Sequence, residues 1–317
     1  MLKKILKIER ERHLDYFTWM MFPYCNYNCS YCFEKEIYFG NEKIDIEKLK
    51  KTANKIYDYC NVNNILRLNV FGGEPTILDY SEIVYIFEKF LNDKKIIFEI
   101  TTNFYRDIDY FFNLLKAFKN NYCFYITCSF HEEFITQALF FKKILKLSKL
   151  AEEFPNSRIK IKVVINKNNE NDIIKFFNNY KTVKKFYNIG LEILEGYKIN
   201  NSFRITDIYD SSKIINKNPD MKKYFCQNKS YNVLTEDNKI SKMTTKQICS
   251  FLNTTNFSCK GYKCYKKDVV LKENKLIDLC HGIITNDFLN YSITKADQKG
   301  RTCTNDICPE VFNYIER

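Results

Sequence analysis

The sequence predicts an α/β protein, a partial (β/α)6 barrel of the TIM type followed by a small cysteine-rich α+β extension. Six short apolar runs rich in β-branched and aromatic residues alternate with segments of helical spacing. Such alternation implies parallel strands joined by right-handed crossovers. Irregular Asn- and Lys-rich sequence follows residue 200. We therefore expect an amino-terminal extension at 1–15, a barrel at 16–199 and a carboxyl-terminal module at 200–317.

The first half of the barrel is predicted from three strands and three helices. Strand YFTWMMF (16–22) is aromatic and apolar, and the helix expected at 44–60 places Ile46, Leu49, Ala53, Ile56 and Tyr57 on one face. ILRLNVF and KIIFEIT are β-branched runs. They predict strands at 65–71 and 95–101, which are followed by amphipathic segments that predict helices at 79–92 and 107–118.

The second half repeats the pattern. YCFYITCSF predicts a strand at 122–130, and a long periodic segment predicts a helix at 132–153. RIKIKVVIN at 158–166 precedes a helix expected at 171–180, and NIGLEIL at 188–194 supplies the sixth strand. Active sites of such barrels lie at the carboxyl ends of the strands. Residues suited to a site follow strands one to four: the cysteine loop, Gly72 to Pro75, Thr101 to Asn103, and Ser129 with His131.

Composition narrows the class of protein. The chain has 317 residues, of which 45% are hydrophobic and 16% aromatic, so it is expected to fold into a globular protein. Charged residues interrupt the apolar residues near the amino terminus, so neither a secretory signal nor a membrane span is predicted. We expect a cytoplasmic protein. Thirteen cysteines in that compartment indicate metal binding or catalysis more often than disulfides.

The net charge of +12 is spread evenly along the chain, which makes a nucleic-acid partner unlikely. The stretch KGYKCYKK (260–267) interleaves tyrosine with lysine, as a surface that binds single strands does. A solvated loop beside a metal ligand is the alternative interpretation, and we favour it.

Three cysteines lie within eight positions after the first strand, at Cys25, Cys29 and Cys32. A closed zinc site needs four protein ligands and a disulfide needs two. A 4Fe-4S cluster held by three thiolates leaves one iron without a protein ligand, open to a substrate or cofactor. Structural zinc with a distant fourth cysteine is the alternative.

The spacing Cys25-x3-Cys29-x2-Cys32, with Tyr31 before the third cysteine, resembles the signature of the radical SAM superfamily. Gly72, Gly73, Glu74 and Pro75, at the end of the second strand, are similar to that family's GGE motif. The resemblance covers residues 16 to about 195. It implies a 4Fe-4S cluster that binds S-adenosylmethionine (SAM), with the GGE motif near the amino group of SAM.

The same resemblance extends to the next two strand ends. Thr102 and Asn103 look like the polar pair that the family places near SAM, although Phe104 stands where glycine is commoner. Ser129 and His131 resemble an S-x-H of some members, in which Ser faces the cofactor and His the substrate. A surface position at the start of the next helix is the alternative for His131.

A second group of cysteines includes Cys264, Cys280, Cys303 and Cys308. A hairpin between Cys264 and Cys280, with residues 273–275 at its tip, resembles the twitch or SPASM extensions that carry an auxiliary cluster. The resemblance implies a second 4Fe-4S cluster, although Lys275 stands where the family usually has glycine. Cys259 in place of Cys264, and zinc in place of the cluster, remain alternatives. The following cysteines are expected in the core: Cys60, Cys123 and Cys128.

These expectations combine into a radical SAM enzyme that abstracts hydrogen from its substrate and receives electrons from flavodoxin or ferredoxin. Fewer than twenty residues precede the first strand, which favours a small molecule such as a sugar or nucleotide-sugar over a peptide. A peptide-modifying maturase, or an enzyme that activates a partner protein, is the alternative within the superfamily. A zinc protein that binds nucleic acid is the alternative of another class.

Overall fold

A computed structural model describes the barrel almost completely and the carboxyl-terminal third in part. The described residues are 5–10, 15–32, 44–166, 168–195, 197–199, 205–208, 211–225, 230–235, 240–244, 263–264, 269–278, 282–293, 301–302 and 314–316. No helix within these ranges is long and apolar enough to cross a membrane.

The described part of the chain begins with one strand, continues through six strands that alternate with five helices, and ends mainly in short strands. The elements are β1 Ile5–Arg10, β2 Tyr16–Met20, α1 Ile46–Asn63, β3 Arg67–Phe71, α2 Tyr80–Ile86, β4 Ile97–Thr102, α3 Ile108–Ala117, β5 Cys123–Phe130, α4 Gln137–Ala151, β6 Ser157–Ile165, α5 Glu170–Lys184, β7 Ile189–Glu195, β8 Tyr197–Ile199, β9 Ile205–Ile208, α6 Ser212–Lys217, β10 Ser230–Thr235, β11 Ile240–Thr244, β12 Lys263–Cys264, β13 Val269–Lys272, β14 Lys275–Asp278, β15 Gly282–Thr285, β16 Arg301–Thr302 and β17 Tyr314–Glu316. Short 3₁₀ helices lie at Pro75–Ile77, Glu88–Phe90 and Pro219–Tyr224.

Strands β2 to β7 form a parallel sheet in the order of the sequence. Helices α1 to α5 connect consecutive strands, and the sheet does not close on itself. The predicted partial (β/α)6 barrel is confirmed.

Alternating burial explains why these segments became strands. Phe17 and Trp19 on β2 are buried under the helices, while their neighbours face the concave side of the sheet. Aromatic rings fill the layer between sheet and helices. The ring of Phe118 on the helix side stacks on Phe98 at 4.8 Å and on Phe124 at 4.4 Å. Burial of such large rings is the main stabilising contribution of this layer.

The hairpin predicted between Cys264 and Cys280 is present as β13 and β14, with residues 273 and 274 at its turn. Strand β13 pairs in parallel with β2, and β15 pairs with β14. The barrel sheet therefore has nine strands among the described residues, in the order β15-β14-β13-β2-β3-β4-β5-β6-β7. Part of the range expected to form the carboxyl-terminal module extends the barrel sheet itself.

A second sheet joins the two ends of the chain. Strand β1, in the range expected to be an amino-terminal extension, pairs antiparallel with β10 and with β17. The order of this six-stranded sheet is β11-β10-β1-β17-β12-β16. Strands β8 and β9 form a separate two-stranded ribbon.

Two helices differ most from their predicted bounds. The helix expected at 132–153 begins at Gln137, because Thr136 caps it and the residues before it turn back toward the loop after β2. The helix expected at 79–92 is divided into α2 and a 3₁₀ turn at Glu88–Phe90. Periodicity indicated both helices and could not show where local contacts would end them.

The concave face of the sheet, called the lumen face below, carries ion pairs. Arg67 on β3 donates to Glu99 on β4 at 2.5 and 3.0 Å, and Thr127 on β5 donates to the other oxygen of Glu99 at 2.6 Å. Lys160 on β6 donates to Glu192 on β7. Burial raises the pKa of Glu99, but the nearby cations outweigh burial and lower the pKa to about 2.

We expect the ionised form of Glu99 to stabilise the protein above pH 4.5. Its pKa is lowered from 4.5 to about 2 in the folded protein. The stabilisation is therefore complete above the pKa of the unfolded chain and is lost as the pH falls toward 2. We expect Glu99 to account for about 3 kcal/mol of that loss. Urea unfolding of the reduced, metal-free protein at several pH values measures it.

The matched variant is Glu99→Gln, which keeps the shape of the side chain and does not titrate. The free energy of unfolding should fall less steeply between pH 5 and pH 2 in this variant than in the wild type. Equal slopes in the two proteins would contradict the assigned role of the Arg67–Glu99 pair.

Candidate metal centre and cofactor site

The cysteine loop, residues 24–32, follows β2 at the carboxyl edge of the sheet. Cys25, Cys29 and Cys32 are all half-buried, and none of them forms a disulfide. The amide of Tyr27 donates to Cys25 Sγ at 3.3 Å, and the amide of Cys32 donates to the carbonyl of Cys29 at 3.1 Å. The loop thus presents three thiols without a helix or strand to hold them.

The thiols of Cys25 and Cys29 do not ionise readily in the protein alone. Burial raises the pKa of Cys29 to about 12, and the nearby Cys32 and Cys25 add to the shift. Burial also raises the pKa of Cys25, with Glu74 and Cys32 contributing in the same direction. Three thiols that oppose one another's ionisation suit a centre whose positive charge replaces their protons.

No three His, Cys, Asp or Glu side chains within the described ranges are grouped closely enough to bind one metal ion. Thiolates that hold a 4Fe-4S cluster bind different iron atoms, so they need to surround the cluster without converging on one point. The donor set at Cys25, Cys29 and Cys32 fits such a cluster.

The glycine turn after β3 lies directly against the start of the cysteine loop. Gly72 and Gly73 have φ of +92° and +54°, which side chains disfavour. A Cβ on Gly73 would lie 2.0 Å from the carbonyl oxygen of Tyr24, and one on Gly72 would lie 2.8 Å from Met20 Cα. The amide of Glu74 donates to that Tyr24 oxygen at 2.7 Å. Gly73 is needed for this backbone contact, and Gly72 is needed for the close approach of the turn to the end of β2.

The carboxylate of Glu74 connects the ends of β3 and β4. It accepts hydrogen bonds from Thr76 N at 2.9 Å, Thr76 Oγ1 at 2.5 Å, Thr102 Oγ1 at 2.8 Å and Asn103 N at 2.5 Å. The residue is almost fully buried, and burial raises its pKa despite these donors. Glu74 also caps the 3₁₀ helix that Pro75 begins. The Glu74 carboxylate therefore has a structural role, because its hydrogen bonds hold the turn after β3 against the end of β4.

Asn103 contacts the cysteine loop from the end of β4. Its amide donates to Asn26 Oδ1 at 2.7 Å and lies 3.9 Å from Cys25 Sγ. Phe104, which replaces the expected glycine, has φ of +62° and is fully buried. The ammonium of Lys143 on α4 donates to the carbonyls of Phe104 and Arg106, which holds this left-handed conformation in place.

Arg106 fastens the loop after β4 to the loop after β3. Its guanidinium donates to the carbonyls of Thr76 at 2.8 Å and Ile77 at 2.7 Å. Tyr105 and Tyr110 add hydrogen bonds to the same stretch, to Thr76 at 3.1 Å and Leu78 at 3.0 Å. The two loops are therefore tied into one unit.

The segment from His131 to Phe134, which follows β5, packs on the other side of the cysteine loop. Glu133 accepts hydrogen bonds from the amide of Ser30 at 2.9 Å and from its hydroxyl. Phe134 stacks on Tyr27 with ring centroids 4.2 Å apart. This segment is why helix α4 starts later than the periodicity predicts.

His131 faces the cysteine loop. Its Nδ1 lies 3.2 Å from Cys29 Sγ and 3.0 Å from the hydroxyl of Tyr31, and the two rings are parallel with centroids 6.0 Å apart. Burial lowers the pKa of His131 to about 4, so the imidazole is neutral at pH 7. Its side chain is half-buried and α4 begins six residues later, so the alternative of a surface residue at a helix start is wrong.

Ser129 lies on β5 two residues beyond Thr127 and therefore on the lumen face. It is half-buried. Of the cysteines expected in the core, Cys60 and Cys128 are fully buried, and Cys123 is half-buried on the lumen face.

The auxiliary ligands expected in the carboxyl-terminal range are not described at the level of side chains. Cys264 lies in β12, but its side chain is outside the described residues. The remaining proposed ligands and the alternative to Cys264 lie outside them altogether: Cys280, Cys303, Cys308 and Cys259.

Sequence reasoning missed the residues that hold the loops together. Arg106, Glu133 and Lys143 lie in segments of mixed polarity where no spacing or motif marks them. Thr76 directly follows the GGE-like motif, so it is the missed residue that the motif could most easily have indicated.

Comparisons with known proteins give a limited result. Residues 17–142, less than half of the chain, match the family described as a 4Fe-4S single cluster domain. None of the curated proteins matches. A solved structure described as histidine-tagged anSMEcpe with bound AdoMet is similar, with 14% identity and a TM-score of 0.49 over 88% of this chain and 78% of that one. The amino-terminal part of the chain is thus similar to a domain that holds one 4Fe-4S cluster.

We expect Gly73→Ala to destabilise the protein by about 2 kcal/mol or more. The added methyl would overlap the Tyr24 carbonyl and require a left-handed φ. Urea unfolding of the metal-free protein measures the change. Gly190→Ala on β7 is the matched control, since its Cβ would lie 3.4 Å from the flexible Lys160 side chain. Equal effects at the two positions would show that the Tyr24 contact is unimportant.

We expect Glu133→Ala to loosen the cysteine loop without unfolding the barrel. Loss of the hydrogen bonds to Ser30 should cost about 1 kcal/mol and speed amide exchange of residues 25–32 about fivefold. Hydrogen exchange with mass spectrometry measures this in the reduced, metal-free protein. The control is Glu132→Ala, because the described hydrogen bond of the neighbouring Glu132 carboxylate comes from Asn169 and not from the cysteine loop. Unchanged exchange in the Glu133 variant would refute the contact.

Proposed function

We propose that the protein is a radical SAM enzyme in which Cys25, Cys29 and Cys32 hold a 4Fe-4S cluster. The observation that carries the proposal is the packing of the cysteine loop against the glycine turn and Asn103. It sets three thiols beside the two strand ends that the radical SAM resemblance assigns to SAM. The match of residues 17–142 to a 4Fe-4S domain supports the same centre.

Such a cluster, when bound, supplies the electron that cleaves SAM to methionine and a 5′-deoxyadenosyl radical, which abstracts hydrogen from the substrate. The chain contributes the surroundings. Gly72 and Gly73 keep the turn after β3 close to the loop, and the buried Glu74 fixes the turn to the end of β4. Asn103 steadies the loop beside Cys25.

Tyr31, Ser129 and Pro75 are proposed as further parts of the cofactor site. Tyr31 is held by His131, so a role for His131 in catalysis would be combined with a role in ordering the loop. Pro75 starts the 3₁₀ helix beneath the glycine turn. Ser129 presents a hydroxyl on the lumen face.

The substrate is proposed to be a small molecule such as a sugar or nucleotide-sugar, with a peptide as the alternative. Support comes from the lumen face, which carries ionic and hydroxyl groups suited to a polar molecule. Oxidation, epimerisation or bond formation could follow hydrogen abstraction. A flavodoxin or ferredoxin is the proposed source of electrons.

A second 4Fe-4S cluster is proposed at Cys264, Cys280, Cys303 and Cys308. The β13–β14 hairpin between the first two of these cysteines supports a shared site. Two clusters would give about eight iron atoms for each chain, and one cluster about four.

The test is anaerobic reconstitution with iron and sulfide, followed by SAM and dithionite. We expect a brown protein that releases 5′-deoxyadenosine, and Cys32→Ser should lose about half of the bound iron and all of the cleavage. Cys123→Ser is the matched control, because this half-buried thiol lies far along the chain from the loop, on β5.

Cys264→Ser should lower bound iron by about half while the iron of the first cluster remains. A colourless protein that contains zinc instead of iron would contradict the proposal and favour a zinc-binding protein. Iron without SAM cleavage would contradict the assignment to radical SAM chemistry.

A further inference from the structure

The lumen face holds more positive than negative charge among its described residues. Arg67 is paired with Glu99, and Lys160 is paired with Glu192. Lys162 is a third cation on the same face, two residues beyond Lys160 on β6. Around Glu99 and Glu192, three cations thus stand against two carboxylates.

Among these three, Lys162 is the cation without a close acceptor in the described part of the chain. Its Nζ lies 4.0 Å from Glu192 Oε2, which is beyond hydrogen-bond distance, and this oxygen already accepts from Lys160. The side chain of Lys162 is 22% exposed. A largely buried ammonium whose nearest carboxylate is shared has unused capacity to bind an anion.

A hydroxyl lies beside this ammonium. Ser129 on β5 is directly opposite Lys162 in the parallel register, and Lys162 is opposite Glu192 on β7. Lys162 lies three residues before the end of β6, and its register partner Ser129 lies one residue before the end of β5. An anion at this place would lie on the lumen face, near the end of β5 that leads to His131.

We propose that Lys162 binds a phosphate or carboxylate group of the substrate. The inference rests on the proposed function and adds the chemical class of the substrate. A lysine binds either oxyanion as a point charge, so the shared chemistry is that of an oxyanion. Anchoring that group in the lumen leaves the remainder of the substrate near the cysteine loop, where hydrogen would be abstracted.

The first experiment measures acetylation of individual lysines in the anaerobically reconstituted protein by peptide mass spectrometry. Inorganic phosphate, acetate and S-adenosylhomocysteine are added separately, with chloride at the same ionic strength as the baseline. At three times its dissociation constant, the bound oxyanion should slow labelling of Lys162 about fourfold. Lys146 is exposed on α4 and should be unaffected.

The protecting probe identifies the source of the oxyanion. Stronger protection by phosphate indicates a phosphorylated substrate, and stronger protection by acetate indicates a carboxylate. If neither oxyanion protects Lys162, the inference is overturned. It is also overturned if S-adenosylhomocysteine alone protects Lys162, because the anion that Lys162 binds would then belong to the cofactor.

Variants provide an independent measurement through the thermal stabilisation that phosphate or acetate gives. Lys162→Met should abolish the stabilisation, and Lys146→Met should keep it. Glu192→Gln should increase it, because the competing carboxylate at 4.0 Å is removed. A Glu192→Gln protein with weaker stabilisation would show that the network is only structural and would overturn the inference.

The result is separable from the proposed function. If the wild-type protein cleaves SAM but neither oxyanion slows the labelling of Lys162, the anion site is refuted and the proposed function stands. Protection of Lys162 in protein that binds iron yet fails to cleave SAM confirms the anion site and overturns the radical SAM assignment.

Discussion

The backbone contact between the glycine turn and the cysteine loop determines the geometry of the whole site. The loop has no regular structure to hold three thiols in place, so another backbone has to support it. The amide of Glu74 reaches the carbonyl of Tyr24 at 2.7 Å, which is possible because Gly73 has no side chain. The contacts of the loop with Asn103 and His131 depend on the position that this hydrogen bond gives to the start of the loop.

Support around this point comes from successive strand ends, and each contribution differs in kind. The turn after β3 gives a close backbone contact and the buried carboxylate of Glu74. The loop after β4 gives the Asn103 amide that binds this carboxylate and the guanidinium of Arg106. The segment after β5 gives aromatic stacking and a carboxylate acceptor. Parallel strands place these ends at one edge of the sheet, so residues about a hundred positions apart meet around one loop.

The fold and the position of the site followed from patterns that the sequence displays. Six alternating units and the residues at the strand ends were enough to predict the barrel and the edge on which Cys25, Gly73, Asn103 and Ser129 lie. These features depend on periodicity and strand direction, which are local properties.

Features that depend on distant partners were not predictable. Glu133 gave no signal because its partner, Ser30, is about a hundred residues away in the sequence. Phe104 looked like a departure from the motif, yet it adopts the left-handed backbone expected of glycine because Lys143 holds the neighbouring carbonyls. The parallel pairing of β13 with β2 bears on the order of folding. Phe17 on β2 pairs with Val269 on β13, about 250 residues later in the sequence. One edge of β2, the strand that leads to the thiols, therefore has no strand partner until most of the chain has left the ribosome.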